Sequence, residues 1–147
     1  MRYATLLARL QEKEKEVKKI IIVSYGRKQK ETKRVRWLSR YVKRIDCDRL
    51  PSLNQLPKGA SGFHELAVLY YEHDIRTIAW LTDVYSTMLV WARKRSAKKR
   101  TCVIYCRSES GTVRSVYVAN KLRTFLASQG IESEVVHMEL ARQGRLL

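Results

Sequence analysis

The residues best placed to do chemistry are cations, and their spacing points to phosphate. Arg27, Lys28 and Lys30 directly follow the β-branched run Ile20-Ile21-Ile22-Val23, which puts them at the carboxyl end of a strand, where open α/β sheets usually bind ligands. Lys33, Arg36, Arg40 and Lys43 continue the series, with Arg34 between them, and recur opposite an apolar side formed by Val35, Leu38 and Val42, with Tyr41 beside them. A second cluster, Arg93, Lys94, Arg95, Lys98, Lys99 and Arg100, stands in an exposed stretch, and Arg107 and Arg114 bracket a later polar loop. A thiol is the other reactive group. Cys106 ends a strand-like run and is followed by the polar turn Arg107 to Gly111 and by Arg114 at a helix start, a setting that can lower a thiol's pKa and bring it to an anion.

Other constellations are weaker. His64, His73 and His137 are scattered with no second ligand at helical or strand spacing, so structural or surface roles are expected and no metal site. Asp46, Asp48, Asp74 and Asp83 could gather at strand ends as a nuclease-like carboxylate set, although nothing in the spacing forces them together. Trp37, Trp80 and Trp91 read as packing residues, whereas Tyr25 and Tyr41, next to cations, read as the better base-stacking platforms.

These residues sit in a chain of 147, with 30 Lys+Arg against 14 Asp+Glu and a net charge of +16. An excess of this size points to a polyanionic partner, and the length suits one apolar core without disulfide or metal support. The charge is uneven. Residues 1–45 hold 15 basic and 4 acidic side chains, 46–92 hold 3 and 6, and 93–147 hold 12 and 4, which predicts one charged face. Cys47, Cys102 and Cys106 are odd in number and lack ligand spacing, which suggests a reducing, cytoplasmic or similar compartment. No secretory signal or membrane-spanning stretch is visible, so no membrane partner is expected, and no cofactor motif is present.

The elements that must position the cations are those of an α/β fold, a single domain with a mixed, mostly parallel sheet flanked by helices. Residues 1–19 are expected to form a helix or arm, with Tyr3, Leu6, Leu7, Leu10 and Val17 on one side, and 20–147 the domain. Ile20 to Val23 is a core strand, Ser24-Tyr25-Gly26 a turn, and a basic helix starts at Glu31. Lys43 to Cys47 is a short edge strand, and 48–61, with Pro51 and Pro57, a loop. A helix capped at Ser61-Gly62 should end near His73-Asp74, and Ile75 to Thr82 should form a second core strand. Val84 to Arg95 reads either as a hairpin strand or as a crossover helix, and its β-branched and aromatic content favours the hairpin. Thr101 to Cys106 is a strand, Thr112 to Gln129 a helix ended by Gly130, Ile131 to Met138 a last strand, and 141–147 a short tail.

Three resemblances bear on function. The cysteine loop resembles that of rhodanese-type sulfurtransferases and cysteine phosphatases, but is longer than theirs. Val103 to Leu140, with its Tyr105-Cys106 pair, is similar to the opening of the second lobe of RecQ-type helicases, while the Gly-Lys-Ser/Thr loop and acidic motor motif are missing. Taken as a whole, IIIVSYGRKQKETKRVRWLSRYV, RIDCDRLPSL and GFHELAVLYYEHDIRTIAWL, followed by Val113 to Leu140, resemble the Brix-domain proteins of ribosome biogenesis. This chain lacks the proline of that family's basic turn, and Asp83-Val84-Tyr85-Ser86 replaces the Gly-Asn-Pro hairpin of archaeal members. The Brix resemblance implies binding to ribosomal RNA during subunit assembly, with Arg27, Lys28, Lys30, Lys33, Arg34, Arg36 and Arg40 at the contact.

The expectation is a basic RNA-binding protein, favoured over an enzyme, that contacts phosphates of a structured RNA and works within a larger ribonucleoprotein particle. DNA coating is the alternative, because charge alone does not separate the two nucleic acids. A Cys106-dependent sulfurtransferase or phosphatase stands behind both.

Overall fold

A computed structural model describes residues 4–6, 8, 20–27, 41–97 and 101–145, with the side chains of 96 and 97 outside the description. The expected basic helix from Glu31 therefore lies outside the described residues, as does most of the expected N-terminal helix.

Four β-branched residues in succession need apolar cover on both faces, and Ile20 to Val23 have it: each is at most 2 % exposed. They begin strand β1 (Ile20–Gly26), which lies inside a four-stranded sheet with β2 (Tyr41–Asp46), β3 (Cys102–Ser108) and β4 (Ser133–His137). The order is β2-β3-β1-β4, and all pairings are parallel. Ile20 stands opposite Cys102 on one side and Ser133 on the other.

Two strand boundaries differ from expectation. Ser24-Tyr25-Gly26 continues β1 instead of turning, because these residues find partners across the sheet: Ser24 lies 2.6 Å from His137 Nδ1, and Tyr25 packs edge-on against Tyr105. Tyr41 and Val42 open β2 instead of sitting on a helix face, and Val42 pairs with Val103. The short edge strand expected over Lys43 to Cys47 is the rest of β2 up to Asp46, and Cys47 opens a 3-10 turn.

The largest correction concerns Ile75 to Arg95. Helix α1 (Glu65–His73) is followed at once by α2 (Ile75–Ala97), 23 residues without a break, where a core strand was expected over Ile75 to Thr82 and the hairpin was favoured over a helix for Val84 to Arg95. Asp74 caps α2, its Oδ2 accepting from the Thr77 amide and hydroxyl. Thr77, Leu81, Met88 and Ala92 are buried at helical spacing, whereas the β-branched residues that suggested a strand, Ile75, Ile78 and Val90, stand out in solvent. The helix expected to be capped at Ser61-Gly62 starts three residues later, with His64 Nδ1 accepting from the Leu66 amide.

Helix α3 (Arg114–Ser128) links β3 to β4 and ends before Gly130, which has φ +80°. A short helix, α4 (Met138–Arg142), replaces the start of the expected tail. Ile20, Ile22, Ile104 and Cys106 point toward the face covered by α1, α2 and α3, where Tyr71, Met88, Leu122 and Leu126 complete the core. Ile21, Val23, Val103 and Tyr105 form the opposite face with Val136 and Met138, and Leu6 and Val42 pack on it.

Candidate functional site

The strand order fixes where a ligand can enter. From β1 the chain proceeds to β2 on one side of the sheet, and from β3 it proceeds to β4 on the other, although β1 and β3 are neighbours. The two connections run in opposite directions along the sheet, and the crevice at the carboxyl ends of neighbouring strands with that relation is the usual binding place in open parallel α/β sheets. Here that place is a cavity of about 640 Å³ lined by Gly26, Ser52, Ser110, Arg114, Glu139 and Arg142, with Glu109 at its mouth.

The loop from β3 to α3 forms one wall, and its backbone is pinned. The Arg27 amide donates to the carbonyls of Ser108 and Glu109. The Gly111 amide donates to Ser108 Oγ, which itself donates to Ser115 Oγ. Gly111 has φ +76°, and a β-carbon there would lie 2.4 Å from the Gly26 amide nitrogen, so only glycine lets this loop lie against the end of β1.

Asp48 ties the crevice together. It pairs with Arg27 at 2.8 Å and with Arg114 at 3.0 Å, and it accepts from the Glu109 amide. Arg114 also donates to the Leu50 carbonyl, and its side chain is only 14 % exposed, so the two arginines differ in role. Arg114 is held in place, while Arg27, half-exposed, can turn outward. On the far side Arg142 is paired with Glu139, whose carboxyl is held below the usual range chiefly by that guanidinium. Three carboxylates thus face three arginines. Arg107, near the carboxyl end of β3, is exposed and has no ion-pair partner among the described residues.

The sixteen predicted contact residues separate in space. Arg27, Arg107 and Arg114 meet at the carboxyl ends of the strands. Arg93, Lys94 and Arg95 occupy the last turns of α2, and Arg95 stacks 4.4 Å over the ring of Tyr41, the first residue of β2, so this group marks the amino ends of the strands. Lys43 is exposed on the edge strand between them. Lys28, Lys30, Lys33, Arg34, Arg36, Arg40, Lys98, Lys99 and Arg100 lie outside the described residues. The described cations therefore occupy both ends of the sheet, and the single charged face that was expected is not what they form.

Several side chains were misread. Tyr25 is 6 % exposed and cannot serve as a stacking platform. Cys106 is fully buried two residues before β3 ends, facing the helices, so its thiol does not reach the loop that suggested a nucleophile. Neighbouring Cys47 is also sealed in, and burial raises its pKa well above the usual thiol value. No disulfide joins the three cysteines. Asp46, Asp48, Asp74 and Asp83 do not form one set: Asp48 serves the crevice, Asp74 caps α2, and Asp46, which caps the 3-10 turn Cys47–Arg49, shares a second recess with Asp83 of α2. Among the described residues no group of three or more His, Cys, Asp or Glu is arranged to hold a metal, and no helix is long and apolar enough to cross a membrane.

Sequence reading missed the roles of Asp48, Ser52, Glu139 and Arg142. The one local signal was the i, i+3 spacing of Glu139 and Arg142. No protein family and no curated protein matches the chain.

Proposed function

We propose that this chain binds structured RNA through its phosphates, using the carboxyl end of the sheet as the principal contact and the basic end of α2 as a second. The observation that carries the reading is that Arg27 and Arg107 stand exposed at the carboxyl ends of β1 and β3, where Arg114 and Arg142 line the cavity, in a chain of net charge +16. Guanidinium groups suit phosphate because their planar fork makes paired, charge-assisted hydrogen bonds. Exposed cations at two ends of a sheet match a folded RNA, which offers phosphates along more than one strand segment and is read by shape. The ground for a place in ribosome assembly, within a larger ribonucleoprotein particle, is the sequence resemblance to Brix-domain proteins, whose second apolar strand is replaced here by helix α2. The unbridged thiols suit a reducing compartment.

The test is binding of the chain to a labelled RNA hairpin with an internal loop, and to duplex DNA of equal length, across a salt series. With about six to ten phosphates neutralised, RNA affinity should fall roughly 10³- to 10⁵-fold between 50 and 200 mM salt. Arg107→Ala should lower the slope of log affinity against log salt by about one. A fall of less than tenfold overturns the proposal, and tighter binding to duplex DNA replaces RNA with DNA as the partner.

A further inference from the structure

A second recess lies beside the crevice, between edge strand β2 and helix α2. Its volume is about 370 Å³, at the lower end of the ~300–1,000 Å³ range of small-ligand clefts. The 3-10 turn connects the two sites, for Asp48 faces the crevice while the next residue, Arg49, lines this groove. Trp80, half-buried, lines it as well, with Asp83 and Thr87 along the same helix and Met88 toward the core. Trp80 was read as a packing residue. It does pack on the core, yet it also presents surface to the groove.

Charged side chains from two elements line this groove, Arg44, Asp46 and Arg49 from β2 and the turn and Asp83 from α2. Several opposite charges on the described surface pair up, as in Arg27 and Arg114 with Asp48, Lys121 with Glu72, and Arg142 with Glu139. Arg49 and Asp83 line one groove, one from the turn and one from the helix, and neither has a hydrogen-bond or ion-pair partner among the described residues. A guanidinium, an indole and a carboxylate along one cleft are the three groups that meet the three parts of a nucleotide. The guanidinium binds phosphate, the indole offers a π-face to the base, and the carboxylate accepts from the base edge.

We infer that this groove takes one unpaired nucleotide, and guanine in preference to the other bases. The inference rests on the RNA-binding reading and names the feature of the RNA that would be recognised. A carboxylate is acceptor-only. Guanine offers it two adjacent donors, N1–H and the N2 amine. Adenine and cytosine put a ring-nitrogen acceptor beside their single amine, and uracil flanks N3–H with two carbonyls. Asp46, which also lines the groove, uses one carboxylate oxygen to cap the turn at the Asp48 amide and adds acceptor capacity next to Arg49. A base that is stacked and paired in a duplex presents neither its face nor this edge, so the groove selects a bulge or loop.

The full chain is titrated with GMP and UMP, followed by tryptophan fluorescence, and with two RNA hairpins that differ by one bulged guanine. GMP should bind at least tenfold tighter than UMP, and the bulged hairpin about tenfold tighter than the paired one. Asp83→Asn alters only an exposed side chain on α2, leaves folding intact, and should bring the GMP preference below threefold. Arg49→Ala should weaken GMP and UMP alike. Trp80→Phe, which lacks the groove's fluorophore and is therefore titrated by calorimetry, should retain GMP binding, with the thermal midpoint recorded as a control on folding. Equal or absent binding of GMP and UMP, with structured RNA still bound in a salt-sensitive way, overturns the groove assignment and leaves RNA binding standing. Selective GMP binding without salt-sensitive RNA binding does the reverse, and loss of both overturns both.

Discussion

Asp48 accepts from the Glu109 amide and pairs with Arg27 and Arg114, and it lies 17 % exposed, so its removal would strand a guanidinium that has little water around it. Asp48→Asn is expected to lower stability by roughly 3 kcal/mol in urea unfolding, as for other ion pairs broken from one side in a largely buried setting. A loss under about 0.5 kcal/mol would mean that the Leu50 carbonyl alone satisfies Arg114. His137 gives a pH signature. Burial, and then the positive charge of Arg123, push its pKa from 6.5 down to about 4, and its ring is held by Ser24 and Phe63. Between those values the unfolded chain binds a proton that the folded chain refuses. Its contribution is therefore complete above pH 6.5 and is lost as pH falls toward 4, by up to about 3 kcal/mol. Urea midpoints for the parent chain and His137→Gln across that window should converge toward pH 4; parallel curves would refute the assignment. None of this was legible in the sequence, because Asp48 and Arg114, or Ser24 and His137, are far apart in the chain and meet only through the sheet register.

At the level of elements, legibility followed the agreement between local pattern and burial. The run Ile20 to Val23 and the stretch Thr101 to Cys106 are apolar because both faces are covered, and both were read as strands. In α2 the two signals conflict. Ile75 is 81 % exposed and Val90 71 %, so the residues that looked most strand-like contribute nothing to the core, while the helical buried series includes a threonine and an alanine. The informative signal was Asp74-x-x-Thr77, a helix cap, followed by a long stretch without glycine or proline. Met88→Ala should cost about 2–4 kcal/mol and Ile75→Lys less than about 0.5 kcal/mol in urea unfolding. A strand with Ile75 turned inward would reverse that order.

For the molecule as a whole, composition foretold the charge but not where it would stand. The excess of +16 was read as one face, and the described cations divide between the two ends of a parallel sheet, because a strand carries its flanking basic segments to opposite poles. Closure of the core has a chemical readout as well. Cys47, Cys102 and Cys106 are all 0 % exposed, so a thiol reagent at neutral pH should modify none of them until the chain opens, and all three at once in denaturant. Fast modification of Cys106 in the native protein would restore the nucleophile reading. The strand order also has a consequence for biosynthesis. β1 is made early, yet its two neighbours begin at Cys102 and Ser133. At about 5–20 residues per second, translation leaves the Ile-Ile-Ile-Val segment without a strand partner for roughly 4–16 s, an interval in which a chaperone has time to shield it from aggregation.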